Sequence, residues 1–108
     1  MTNIFPVDEN MLEIPFQNEI IKLAKHHEWE LIYHTHDSRK SAAGFPDLVM
    51  IKNDYLLVRE LKSIRGVVTP DQTKWLAGFD GVKTLSADVW RPGKDNAEII
   101  EYLTTRGK

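Results

Sequence analysis

The feature that most constrains this chain is a pair of strand-like runs, Asp47 to Lys52 and Tyr55 to Lys62, separated only by Asn53-Asp54. Asn and Asp tolerate the left-handed backbone that tight hairpin turns demand, so an antiparallel hairpin is the natural reading. A hairpin turning there pairs residues whose numbers sum to about 107, which sets Asp47 opposite Glu60. Side chains alternate along a strand, so Glu60 and Lys62 share one face and Leu61 takes the other.

Helical periodicity surrounds this hairpin. Residues 15 to 28 carry Phe16, Ile20, Ile21, Leu23 and Ala24 at helical spacing, with Pro15 tolerated in the first turn. Glu30 to His36 reads as a strand and leads into a polar loop, Asp37 to Gly44. Thr69-Pro70-Asp71-Gln72 is a helix start, with Thr69 as cap and Gln72 able to return a bond to it; the helix is expected to run to about Gly78 with Trp75, Leu76 and Phe79 turned inward. Val82 to Leu85 and Ala87 to Trp90 predict one or two further strand segments. Asp95 then caps a last helix, with Glu98 at the capping-box position. The resulting order, α-β-β-β-α-β-α, is a mixed sheet flanked by helices, α/β (mixed α+β) in class.

At 108 residues and 42% hydrophobic composition, the chain is expected to form a single domain over 1–108, with residues 1–12 as a flexible N-terminal segment. The absence of cysteine excludes a disulfide framework, a Cys-ligated zinc site and a thiol nucleophile. No run is long and apolar enough to span a bilayer and no secretory leader is evident, which predicts a cytoplasmic protein with no membrane partner. The net charge of -2 gives no general attraction for a polyanion. Arg39 and Lys40, Lys62 and Arg65, and Arg91 and Lys94 are the places where a basic face could form.

The chemistry concentrates in the hairpin. Two carboxylates about 4 Å apart repel by roughly 4 kcal/mol at an effective dielectric of about 20, so a pair formed by Asp47 and Glu60 must hold a proton or recruit a cation. Lys62 offsets only part of this. One or two carboxylates with open water positions describe a Mg²⁺ site that also accepts phosphate oxygens. Lys62 is then placed to orient water or to stabilise charge on a phosphate.

Gly44-Phe45-Pro46-Asp47-Leu48 followed by Glu60-Leu61-Lys62 resembles the Pro-Asp…(Asp/Glu)-X-Lys signature of the PD-(D/E)XK nuclease superfamily, and in particular the VRR-NUC (virus-type replication-repair nuclease) domain. His34 to Ser41 resembles that family's first strand and loop, Thr69 to Gln72 its glutamine-bearing helix start, and Val89-Trp90-Arg91-Pro92 its last strand, so the resemblance covers roughly residues 13 to 103 in order. It implies a restriction-endonuclease-like central sheet and a metal-dependent DNA endonuclease, with Mg²⁺ or Mn²⁺ held by Asp47, Glu60 and the backbone carbonyl of Leu61. Lys62 is implied as the catalytic lysine and Gln72 as a glutamine lining the site. Glu13 matches the family's N-terminal acidic metal ligand, with Glu19 as the alternative because Pro15 intervenes. DNA contacts are expected from Arg39, Lys40, Ser41 and Arg65. A prokaryotic or virus-infected host cell and work in DNA repair are expected with it. A small, slightly acidic domain offers few cations to a polyanion, so a homodimer is expected, with its two sites on opposite strands of branched DNA such as a four-way (Holliday) junction.

Plainer readings stand beside these. Asp47 can be a strand-initiating cap, Glu60 and Lys62 a solvated face, and Gln72 a capping-box residue only. His34 and His36 share a strand face as a possible metal pair, whereas His26 and His27 suit a helix end. Trp75, Phe79 and Trp90 are spaced for a core rather than for stacking on bases. A nucleic-acid-binding module without hydrolysis is the alternative function.

Overall fold

The computed structural model describes residues 5–35, 42–82 and 85–105. Its elements are α1 (Glu13–His26), β1 (Leu31–His34), β2 (Leu48–Lys52), β3 (Tyr55–Leu61), α2 (Pro70–Asp80), β4 (Leu85–Trp90) and α3 (Asn96–Thr105), in the order expected from the sequence. The strands form one sheet ordered β1-β2-β3-β4. The first three are antiparallel, and β4 joins β3 in parallel after the α2 crossover, so the sheet is mixed.

The hairpin register is the expected one. Leu48 lies opposite Arg59 and Lys52 opposite Tyr55, and Asn53 takes the left-handed conformation (φ 55°) that closes the turn. On one face of the sheet, Leu48, Met50, Leu57, Leu61 and Trp90 meet Phe16, Ile20 and Ala24 of α1 and Ile99 and Leu103 of α3. Arg59 shares that face and is buried. Its guanidinium lies 4.7 Å from the centre of the Trp90 ring and 5.1 Å from that of Tyr102, and donates to the carbonyls of Val58 and Ser86 and to Ser86 Oγ. Stacking and hydrogen bonds offset part of the cost of burying the cation.

Helix α2 covers the β3–β4 half of the opposite face. It leaves β1 open there, with Leu31 62% and Tyr33 54% exposed. Thr69 caps α2 in the expected capping box, but the helix continues to Asp80 and buries no residue fully. Trp75 and Phe79, expected to turn into a core, are half-buried and pack on Phe45 with ring centroids 5.2 and 6.0 Å away. The sheet beneath α2 leaves one side of the helix open to solvent, so its aromatic stripe covers a loop rather than a second core.

Two local expectations are corrected. Residues 1–12, expected to be flexible, include Phe5 and Val7, which are buried in the core; Asn96 Nδ2 donates to the Val7 carbonyl at 2.9 Å. Gly93, at φ 78°, allows this segment to approach, since a Cβ there would stand 2.9 Å from Glu9 N. Residues 1–4 lie outside the described residues. The capping box proposed for Asp95 and Glu98 is replaced by longer connections. Asp95 Oδ2 accepts from the Arg91 backbone N–H at 2.6 Å, and Glu98 Oε2 from the Trp90 indole at 2.9 Å. Both carboxylates tie the end of β4 to α3 instead of closing on one another.

Candidate active site

Asp47 stands one residue before β2, just past the end of the hairpin ladder. The Thr35 N–H donates to its carbonyl and the Thr35 hydroxyl to that of Pro46, each at 2.9 Å, which anchors the turn to the end of β1. Beyond the ladder the backbone N–H of Leu61 has no strand carbonyl to meet. Asp47 Oδ2 accepts it at 2.9 Å. This bond holds the Asp47 carboxylate against the next carboxylate along, that of Glu60.

Glu60 is only 2% exposed. Its Oε2 accepts from Gln72 Nε2 at 2.9 Å and lies 3.7 Å from Lys62 Nζ. Its Oε1 is buried and, among the described residues, receives no donor from an amide or ammonium group. Burial, then the charge of Asp47 and a carboxyl–carboxyl hydrogen bond with it, push the Glu60 carboxyl up to about 8, against a smaller downward pull from Lys62 and a slight upward one from Glu13. Near neutral pH the pair therefore retains a proton unless a cation replaces it.

Gln72 serves both the cap and the site. Its Oε1 accepts from the Thr69 N–H at 2.8 Å, leaving Nε2 to face Glu60. Helix α2 reaches the site because Gly44, at φ 83°, lets its first turn close in; a Cβ on Gly44 would stand 2.4 Å from the Asp71 carbonyl carbon. Trp75 Nε1 donates to the Ala43 carbonyl on the same loop at 3.0 Å.

Glu13 is exposed on the first turn of α1 and lines a cavity of about 330 Å³ together with Asp47, Leu61 and His34. Glu19 is engaged with Lys22 at 3.4 Å and does not line that cavity, so Glu13 is the acidic residue of α1 nearer the site. Among the described residues, no group of three His, Asp or Glu side chains forms a metal cage. The donors that converge are the two carboxylates of Asp47 and Glu60. That set matches a cation bound through few protein ligands with water and substrate oxygens completing the shell, and the donorless Glu60 Oε1 offers it a ligand atom.

Arg65 is exposed on the turn that follows Lys62. Arg91, considered for a basic face, is committed to that turn: its Nη1 donates to the Ser63 and Gly66 carbonyls, both at 2.8 Å. Arg39, Lys40, Ser41 and His36 lie outside the described residues. His34 Nδ1 lies 3.5 Å from Gln17 Nε2. Gln17 and Gly44 escape a reading by residue type. Gln17 follows Glu13 by four positions on a helix and so shares its face, a spacing that could have revealed it.

A search of solved structures places the chain beside a structure titled "VRR_NUC domain protein", with a TM-score of 0.68 over 87% of this chain and 88% of that one. The chain has the VRR_NUC fold. Sequence identity between the two is 18%, and no protein-family model or curated protein sequence matches the chain. The VRR_NUC fold brings the Pro46-Asp47 turn, the end of β3 and the start of α2 to one point, where Asp47, Glu60, Lys62 and Gln72 meet.

Proposed function

We propose that the chain is a metal-dependent nuclease hydrolysing DNA phosphodiester bonds. The observation that carries this reading is the buried Glu60 carboxyl, which faces Asp47 and, among the described residues, keeps one oxygen without an amide or ammonium donor. A protein gains nothing in stability from such a pair, whereas a hard divalent cation is held by it. Glu13, Asp47, Glu60 and the Leu61 carbonyl would hold Mg²⁺ or Mn²⁺. When bound, the cation lowers the pKa of water and offsets charge on the phosphate.

The chain's own groups do the rest. Lys62 Nζ, held near Glu60 and only 12% exposed, orients the attacking water and stabilises negative charge that grows on the phosphoryl oxygens. Water oxygen bonds to phosphorus, the bond to the leaving sugar oxygen breaks, and that oxygen takes up a proton. Gln72 Nε2 holds Glu60 Oε2, and Oε1 would be the oxygen available to a cation. Arg65, and Arg39, Lys40 and Ser41 of the preceding loop, supply contacts to the phosphate backbone.

The finer reading is a homodimer acting on branched or four-way-junction DNA. Its support is the open β1 face, where Leu31 and Tyr33 are exposed beside Val49 and Ile51 of β2. Closed two-fold dimers are the commonest oligomers and would set two sites on opposite strands. The test is cleavage of linear, flapped and four-way-junction DNA with and without Mg²⁺ or Mn²⁺, with light scattering on the same samples. Metal-dependent cutting by the wild type and none by Glu60→Ala supports the nuclease. Binding without cutting assigns a binding module instead, and only the 12.5 kDa monomer in scattering removes the dimer.

A further inference from the structure

The cavity beside Asp47 extends beyond the carboxylates, and its outer part is unlike a phosphate site. Its volume is about 330 Å³, at the lower end of what holds a small ligand. One wall carries Glu13 and Asp47, the acidic side chains assigned above to the cation. The remaining lining carries no lysine, arginine or carboxylate: Ile14, 72% exposed, with the amides of Gln17 and Asn18, the imidazole of His34, Thr35 and Leu61. Gln17 Nε2 and His34 Nδ1 are 3.5 Å apart, at the long limit of a hydrogen bond, so this pairing holds the amide weakly.

An apolar wall next to amides that donate and accept is the chemistry that reads a nucleobase. A phosphate finds no lysine or arginine among the described residues that line this cavity. A stacked base pair cannot enter a space of this size, whereas a base turned out of its helix or carried on a single strand can. Because Asp47 lines both the cavity and the carboxylate pair, a base in this cavity belongs to a nucleotide adjoining the bond that is cut.

We propose that this cavity holds an unpaired nucleobase of the strand being cut, next to the scissile phosphate; the inference rests on the nuclease reading above. Ile14 covers one flat face of the base, and Gln17 and Asn18 meet its edge. The protein therefore selects strands whose bases are free to leave a helix, through contact with the base itself and not only through backbone shape.

Two single strands with identical phosphodiester linkages test this: oligothymidylate, and an oligomer of stable abasic residues that carries no bases. Wild-type protein with Mg²⁺ or Mn²⁺ is expected to cut the base-bearing strand at least about tenfold faster, the discrimination of one good base contact. In Ile14→Ala/Gln17→Ala that ratio falls toward one. Asn18→Ala, a change at an exposed position, lowers the ratio by a smaller factor and serves if the double variant folds poorly by circular dichroism. Equal cutting of both strands by the wild type, or an unchanged ratio in a folded variant, overturns the base pocket while the nuclease stands. Failure to cut either strand or any duplex overturns the nuclease reading and the pocket with it.

Discussion

Gln72 donates from Nε2 to Glu60 Oε2 at 2.9 Å while its Oε1 accepts the Thr69 N–H at 2.8 Å, so one amide ties a helix cap to a buried carboxylate. The cap bond sets the orientation of the amide, and the orientation decides that a donor rather than an acceptor faces Glu60. Gln72→Glu keeps an acceptor for Thr69 but puts a third carboxyl against the pair. It is expected to unfold at lower urea than the wild type without metal at pH 8, and to recover when Mg²⁺ is added. Equal midpoints for the two metal-free proteins would contradict the assigned contact.

Glu60 makes the stability of the metal-free protein pH-dependent. Its folded-state pKa, about 8, lies above the ordinary glutamate value of 4.5, so between these values the folded protein holds a proton that the unfolded chain has released. Its favourable contribution is complete below about pH 4.5 and is lost as pH rises through about 8, amounting to a few kcal/mol. Urea titrations at pH 5.5 and pH 8 are expected to show a higher midpoint at the lower pH, and Glu60→Gln to flatten the difference. A wild-type midpoint that rises with pH would rule this out.

The two carboxylates differ in what they do for the fold. Asp47→Ala strips the Leu61 N–H of its acceptor and is expected to cost about 1–3 kcal/mol, less whatever relief of repulsion Glu60 feels. Glu60→Gln retains the shape and removes the repulsion. Both are expected to abolish metal-dependent cleavage, and wild-type-like turnover in either would refute the site. Calorimetric metal titration with differential scanning of each variant separates loss of binding from loss of fold.

Lys62→Ala is expected to keep metal affinity within a few-fold while cleavage falls by about 10²-fold or more, as for a group that acts on transition-state charge. An affinity loss as large as that of Asp47→Ala would make Lys62 part of the metal site instead.

Gly44→Ala places a Cβ where the Asp71 backbone already lies, at a positive φ that alanine disfavours. A cost of about 2–4 kcal/mol in urea unfolding is expected, the sum of the backbone penalty and the overpacking. Loss of less than about 0.5 kcal/mol would mean that α2 shifts freely, and the Gln72–Glu60 bond should then weaken too.

The hairpin register, the shared face of Glu60 and Lys62, and the capping box at Thr69 were all determined by the sequence alone, because each depends on local periodicity, turn chemistry or spacing along a few residues. Only the tertiary structure decided the rest. Phe5 and Val7 read as part of a frayed terminus, yet a groove formed by α3 and the β4 turn buries them. Asp95 and Glu98 have the spacing of a capping box, but the N–H groups of Arg91 and Trp90, which no local rule brings near, take their oxygens first. Arg59 sits between two charged or apolar neighbours in sequence, and only the meeting of β3, β4 and α3 supplies the rings that bury it. Gln72 has the letter of a cap and the position of a site residue. Its sharing between both follows from Gly44, whose missing side chain lets α2 come close enough to reach across to β3.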